Sequence, residues 1–243
     1  MDSARLSPRD RILEIGPGLG VLTKELVAAA GQVSAVELDK RAISCLRDNF
    51  APEIEAGKLI LAEGDALKMN YRSLGLDDFN FKIVANLPYS ITSHFFRNFL
   101  EFGPKPEEII VMIQKEVAER IIAEPGEMSL LALSVQLYSD PEILFTVKPE
   151  SFWPEPEVDS AVVRLRLKRE PIDADVKSLF RLAKFGFGSK RKQLHNNLSA
   201  GLKISSMAVK GIFAELGWRE DIRAQDLSLD DWIKLDKGLA EAK

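Results

Sequence analysis

The alternation of short apolar runs with amphipathic stretches over the first two-thirds of the chain constrains its fold most. Buried strands are expected at Arg11–Ile15, Gln32–Glu37, Leu59–Glu63, Phe81–Ala85 and Ile109–Ile113. Between them, Leu19–Ala30, Lys40–Phe50 and Thr92–Phe102 read as helices; in the first, Leu22, Leu26 and Ala29 share one face. Strand–helix–strand repetition of this kind demands a mostly parallel α/β sheet with helices on both faces. Glu142–Lys148 and Ala161–Leu167 follow with little helix between them, which suits an antiparallel hairpin at the sheet edge. Beyond Pro171 the segments are helical: Ala174–Phe187, Arg191–Ala200, Ser206–Leu216 and Leu229–Ala242, punctuated by Gly186, Gly188, Gly201 and Gly217. A domain boundary is therefore expected at about 170, with 1–170 forming the α/β domain and 171–243 a small helical one.

Several classes of protein are disfavoured. No apolar run approaches the roughly 20 residues of a membrane span. The polar opening Met1–Asp10, with Pro8, does not read as a signal peptide. Cys45 is the only cysteine, so no intramolecular disulfide can form, in keeping with a reducing, cytoplasmic setting. It sits beside Ile43 and Leu46 as a core or boundary residue. His94 and His195 are the only histidines, and no Cys or acidic cluster has metal-ligand spacing, so no metal is expected. Net charge is −4, but twelve Lys or Arg stand against three Asp or Glu between Ala161 and Phe213. That stretch carries +9 and the remainder −13, an asymmetry that points to a polyanionic partner.

Three strand ends carry the candidate ligand site. The first strand leads into Glu14-Ile15-Gly16-Pro17-Gly18-Leu19-Gly20. Glycines there allow a tight turn and close approach of a ligand, though many nucleotide-binding sheets share the feature. The spacing is G-x-G-x-G, not the G-x-G-x-x-G of dinucleotide binders. The second strand ends in Val36-Glu37-Leu38-Asp39, where a carboxylate could accept both ribose hydroxyls of an adenosine. The third leads into Gly64-Asp65-Ala66, where an acid could accept from an adenine amino group. Taken singly, either acid could equally be a capping or surface residue.

The fourth strand runs into Asn86-Leu87-Pro88-Tyr89. An adenine amino nitrogen is a poor nucleophile because its lone pair is delocalised into the ring. The Asn86 side-chain oxygen and a nearby backbone carbonyl can hold the amino hydrogens so that the nitrogen pyramidalises. Pro88 stiffens the turn, and Tyr89 offers a flat face for a base taken out of its stack.

With these motifs in place, the sequence resembles the ribosomal RNA adenine dimethyltransferases, among them the bacterial kasugamycin-sensitivity enzymes. The resemblance runs over nearly the whole chain: ILEIGPGLG at 12–20, VELD at 36–39, GDAL at 64–67, ANLPYSI at 85–91, QKEVAERI at 114–121, LSVQ at 133–136, FWPEPEVDSAVVRL at 152–165 and FGSKRKQLHNNL at 187–198. NLPY and the F-x-P-x-P-x-V-D-S-A-V run are more selective than the glycine turn. The resemblance implies a Rossmann-like S-adenosylmethionine-dependent methyltransferase sheet with a small C-terminal helical domain. It implies dimethylation of two adjacent adenines near the 3′ end of small-subunit ribosomal RNA by a protein that acts as a monomer on the immature small subunit. A large-subunit methyltransferase and a non-catalytic assembly factor are the competing readings. By position, Glu14, Gly16, Gly18, Glu37, Leu38, Asp65, Ala66 and Asn86 are expected to contact the cofactor. Asn86, Leu87, Pro88 and Tyr89 are expected to form the reaction site, and Lys190, Arg191 and Lys192 to contact RNA. The Phe152-Trp153-Pro154 loop either lies near the target base or packs on the sheet; Phe185 and Phe187 are expected in the core of the small domain. Family members usually open with a basic segment carrying a Gly-Gln-Asn-Phe-Leu-like motif that helps close over the cofactor. The ten residues preceding the first strand carry none, so cofactor affinity and turnover are expected to reflect that difference.

Overall fold

The computed structural model describes residues 2–241. Seven strands form one sheet in the order β3-β2-β1-β4-β5-β7-β6. They are β1 (Arg11–Ile15), β2 (Gln32–Glu37), β3 (Leu59–Glu63), β4 (Lys82–Asn86), β5 (Glu108–Gln114), β6 (Ser139–Val147) and β7 (Ser160–Leu167). β1 to β5 pair in parallel, whereas β7 is antiparallel to both β5 and β6. The expected edge hairpin is thus present, with β6 outermost. Ile12, Leu13, Val33, Ala35, Ile83, Ile109 and Val111 are fully buried, as parallel strands covered on both faces require. The direction of strand order reverses between β1 and β4, and the crevice beyond their carboxyl ends is where open α/β sheets bind ligands.

The helices are α1 (Val21–Ala29), α2 (Lys40–Asn49), α3 (Ala51–Glu55), α4 (Thr92–Arg97), α5 (Lys115–Ile121), α6 (Leu130–Gln136), α7 (Val176–Gly186), α8 (Leu194–Leu202), α9 (Ser206–Glu215) and α10 (Leu229–Glu241). Their ends depart from the periodicity for local reasons. α1 begins two residues late because Gly20 is left-handed (φ 85°) and its N–H closes a turn on the Pro17 carbonyl. α2 ends at Asn49, and a new helix starts with Pro52 in its first turn, where a missing N–H costs nothing. Past Arg97 the chain widens into a π-turn at Asn98–Phe102, whose Leu100 carbonyl accepts from Lys105 Nζ. α7 is capped by Asp175, which accepts from the N–H groups of Lys177 and Ser178. Ala242, where the last helix was expected to end, lies outside the described residues.

The chain divides into two compact units. The first comprises the sheet and its helices; one of its cores joins Ile12, Leu26, Val33, Leu46, Leu59 and Val84. The second takes in everything from Arg169 onward, together with Glu119–Tyr138. Met128, Leu133 and Leu137 pack there with Leu179, Leu194, Phe213 and Trp232. Phe185 and Phe187 pack against the same cluster. Among the described residues no helix is long and apolar enough to cross a membrane.

Candidate active site

The Gly-rich turn and the Asn-Leu-Pro-Tyr turn face each other at the ends of β1 and β4. A Cβ on Gly16 would lie 3.8 Å from Pro88 Cδ, and the Gly16 N–H donates to the Val36 carbonyl at 3.0 Å. Gly16, Gly18 and Gly20 are all left-handed, at φ 67°, 57° and 85°. At Gly20 the space itself demands glycine, since a Cβ would meet the Phe50 ring at 2.6 Å. At Gly18 it would meet nothing within 4 Å, so that backbone is open to a ligand.

The acids at the strand ends differ in state. Glu37 ties the end of β2 to the glycine turn: its Oε2 accepts from Gly18 N (3.0 Å) and its Oε1 from Leu38 N and Asp39 N (2.7 and 2.9 Å). The Leu38 side chain is mostly exposed. Asp65 Oδ1 accepts from Leu67 N at 2.9 Å and Oδ2 pairs with Lys68 at 3.3 Å; the first of these chiefly holds its carboxyl below the usual range. The Ala66 carbonyl accepts from the Tyr71 hydroxyl. Glu14 is the anomaly. It is 1% exposed, and its Oε2 has no hydrogen-bond partner among the described residues. Burial pushes its carboxyl up to about 7; the nearby Thr23 hydroxyl offsets part of this, and the Glu37 charge adds to it. Thr23 Oγ1 is itself buried without a well-formed hydrogen bond, so Thr23 tempers the effect by proximity only.

At the end of β4, Leu87 is buried and its N–H donates to the Met112 carbonyl at 3.3 Å, while Asn86 and Pro88 are exposed. The Asn86 side-chain amide makes no hydrogen bond among the described residues. Tyr89 is half-buried, with its hydroxyl 2.7 Å from Ser160 Oγ at the start of β7. The Pro149–Asp159 segment before Ser160 is anchored by Asp159, whose carboxylate pairs with Lys148 (3.0 Å) and whose carbonyl accepts from Lys115 N. Phe152 is half-buried on this segment and Trp153 is 97% exposed. The sequence reading missed Thr23 and Ser160. A threonine in the buried first turn of a helix is a weak signal for the former, and nothing in the local pattern marks the latter.

The basic stretch divides in two. Arg164, 7% exposed, pairs with Glu108 (3.0 Å) and Glu142 (3.1 Å), Arg166 with Glu142 (3.0 Å) and Lys168 with Asp140 (3.5 Å). These cations hold the β5–β7–β6 edge together and are neutralised by it. Lys190, Arg191 and Lys192 are exposed in the turn between α7 and α8 and have no ion-pair partner among the described residues. Buried Asn197 fixes that turn by donating to the carbonyls of Gly186 (2.6 Å) and Ser189 (3.0 Å). His195 is buried between Ser206 Oγ (2.8 Å) and Gln193 Oε1 (2.9 Å), a structural position. Among the described residues no group of three His, Cys, Asp or Glu could hold a metal.

This sheet order, with glycine turn and acidic strand ends at its switch point, is that of an S-adenosylmethionine-dependent methyltransferase. The residues present suit that cofactor, which carries a sulfonium and an ammonium: the crevice collects three carboxyl groups, and one buried carboxyl oxygen lacks a donor. The family model for ribosomal RNA adenine dimethylase matches residues 1–240. Ribosomal RNA small subunit methyltransferase A of Dehalococcoides mccartyi is 43% identical over 96% of this chain and 80% of the relative. The protein of the same name from Synechocystis is 40% identical over 94% and 83%. Among solved structures, a dimethyladenosine transferase from Plasmodium falciparum superposes with a TM-score of 0.82 at 26% identity, covering 99% of this chain and 94% of that one. The 23S rRNA methyltransferase ErmE gives 0.76 at 26% identity, covering 98% and 94%. The chain belongs to the ribosomal RNA adenine dimethylase family.

Proposed function

We propose that the protein dimethylates the amino groups of two adjacent adenines near the 3′ end of small-subunit ribosomal RNA, as a cytoplasmic monomer acting during small-subunit assembly. The observation that carries this reading is the exposed Asn86, whose amide makes no hydrogen bond among the described residues, in the turn whose Pro88 lies beside Gly16. The small-subunit relatives, at 40–43% identity against 26% for ErmE, favour that RNA over the large-subunit one.

Glu37, three of whose roughly four acceptor positions are taken by the Gly18, Leu38 and Asp39 N–H groups, would accept from one ribose hydroxyl, while Leu38, Asp65 and Ala66 would hold the adenine. Glu14 would accept from the ammonium group, and the Gly16 and Gly18 backbone would let the amino-acid end approach. When bound, S-adenosylmethionine supplies a methyl on a positively charged sulfur that departs as a neutral thioether. Asn86 and the adjacent backbone, set by Leu87 and Pro88, hold the target amino group pointing at that methyl. Tyr89, oriented by Ser160, stacks on the extruded base. The target nitrogen would lose its proton to water only after accepting the methyl, so the chain would need to supply no strong base. Catalysis rests on positioning and on hydrogen bonds that strengthen in the transition state. Residues 1–170 carry this chemistry; the helical part from 171 onward binds RNA, with Lys190, Arg191 and Lys192 on phosphates.

Incubation with labelled S-adenosylmethionine and unmethylated small subunits tests the reading. Label on two adjacent adenines of the small-subunit RNA is expected. Label confined to large-subunit RNA, or none with a folded protein, overturns it.

A further inference from the structure

The second unit holds a cavity of about 360 Å3 between α7, α9, α10 and the end of α8, which the chemistry above does not use. Its walls are apolar: Leu182, Phe185, Ile212 and Leu239. Gly201 lets the Phe185 ring form one wall, because a Cβ there would lie 2.3 Å from that ring. Two polar side chains, Ser178 and Asp236, interrupt this apolar wall. Asp236 is 9% exposed, and Ser178 Oγ donates to its Oδ1 at 2.7 Å. A carboxylate has about four acceptor positions, so it can also accept from a ligand. Arg181 and Lys203, both exposed, stand at the rim without an ion-pair partner among the described residues.

An apolar slot with a buried acceptor inside and two cations at its mouth selects a definite chemistry. The ligand must be flat and apolar on its faces, carry an N–H donor on its edge and bear an anion a short distance away. A nucleobase with an exocyclic amine, attached to its phosphate, meets all three conditions. The volume lies within the roughly 300–1,000 Å3 range of small-ligand sites. The geometry points to a second nucleotide pocket: an unstacked adenylate, cytidylate or guanylate residue of the RNA, its amine on Asp236 and its phosphate on Arg181 and Lys203. This inference rests on the proposed RNA substrate, and it gives the helical unit a base-reading contact in addition to phosphate contacts. Uridylate, with no exocyclic amine, is disfavoured.

The test uses the full chain saturated with S-adenosylhomocysteine, so that free nucleotides cannot report from the cofactor crevice. AMP and UMP are titrated while the methyl resonances of Ile204, Ile212 and Leu239 are followed by NMR. AMP should shift them at concentrations at least about fivefold lower than UMP. In parallel, Ala208→Trp fills the exposed end of the cavity without changing charge. It should weaken binding to small-subunit RNA by about tenfold, the scale of losing one base contact, with cofactor affinity unchanged. Arg181→Glu should abolish the AMP shifts. AMP and UMP behaving alike, or Ala208→Trp binding RNA as the parent does, would overturn the pocket. Neither result bears on methyl transfer, which is scored separately by label on adenines.

Discussion

Replacing Glu14 by Gln should flatten a pH dependence of stability that the parent protein carries. Glu14 is 1% exposed, and burial raises its carboxyl to about 7, against 4.5 for an unburied one. Between these values the native state keeps a proton that the unfolded chain has lost. Native proton binding then exceeds unfolded proton binding, so stability falls as pH rises through this window. The protonated fold's advantage is fully present below pH 4.5 and is gone above about 7. At about 1.4 kcal/mol per pH unit, the interval corresponds to about 3 kcal/mol. Glutamine is neutral at every pH and nearly isosteric, so E14Q should match the parent near pH 4, exceed it by about 1 kcal/mol at pH 5 and by about 3 kcal/mol at pH 8. Urea unfolding at pH 5, 6, 7 and 8 reads this directly. If Glu14 accepts from the cofactor's ammonium as proposed, the same group ties cofactor binding to pH. A cationic ligand favours ionised Glu14, so S-adenosylmethionine affinity should rise by about tenfold between pH 6 and 8 in the parent and much less in E14Q. Parallel stability curves for the two proteins from pH 5 to 8 would refute the argument.

Three further outcomes follow from the geometry. Gly20→Ala should destabilise by roughly 1–3 kcal/mol, because it forces a left-handed alanine whose Cβ meets the Phe50 ring; an unchanged midpoint in thermal unfolding would contradict this. Tyr89→Ala should cost about 1–3 kcal/mol in productive base capture, and Tyr89→Phe about 1 kcal/mol through loss of the Ser160 contact; equal single-turnover losses would remove the stacking role. Neutralising Lys190, Arg191 and Lys192 together should lower RNA affinity at every sequence and reduce the log–log salt slope by up to about 3, as measured by filter binding; an unaltered slope would place the phosphate face elsewhere.

The parts of the molecule fixed by period and composition could be read from the chain alone. The five parallel strands and their helices follow from apolar runs separated by amphipathic ones, and the edge hairpin follows from two strand-like segments without a helix between them. What depends on distant partners could not be read that way. α5 and α6 are seven residues each, too short for periodicity to speak clearly, and Glu119–Tyr138 clusters with the second unit through Met128, Leu133 and Leu137. The positive stretch from Ala161 to Phe213 looked uniform because Glu108, Asp140 and Glu142, which neutralise its first part, lie outside it in sequence. Glu14 and Asn86 were visible by position, but the unpaired oxygen of the first depends on burial by the assembled sheet.

Single-turnover methyl transfer with saturating RNA and cofactor, run side by side on the parent and Asn86→Ala, addresses the chemistry itself. If the exposed amide at the end of β4 holds the adenine amino group in the transition state, Asn86→Ala should lower the rate by about 100-fold or more while RNA affinity changes by less than about threefold. A folded Asn86→Ala protein that transfers methyl groups at the parent's rate would contradict the mechanism.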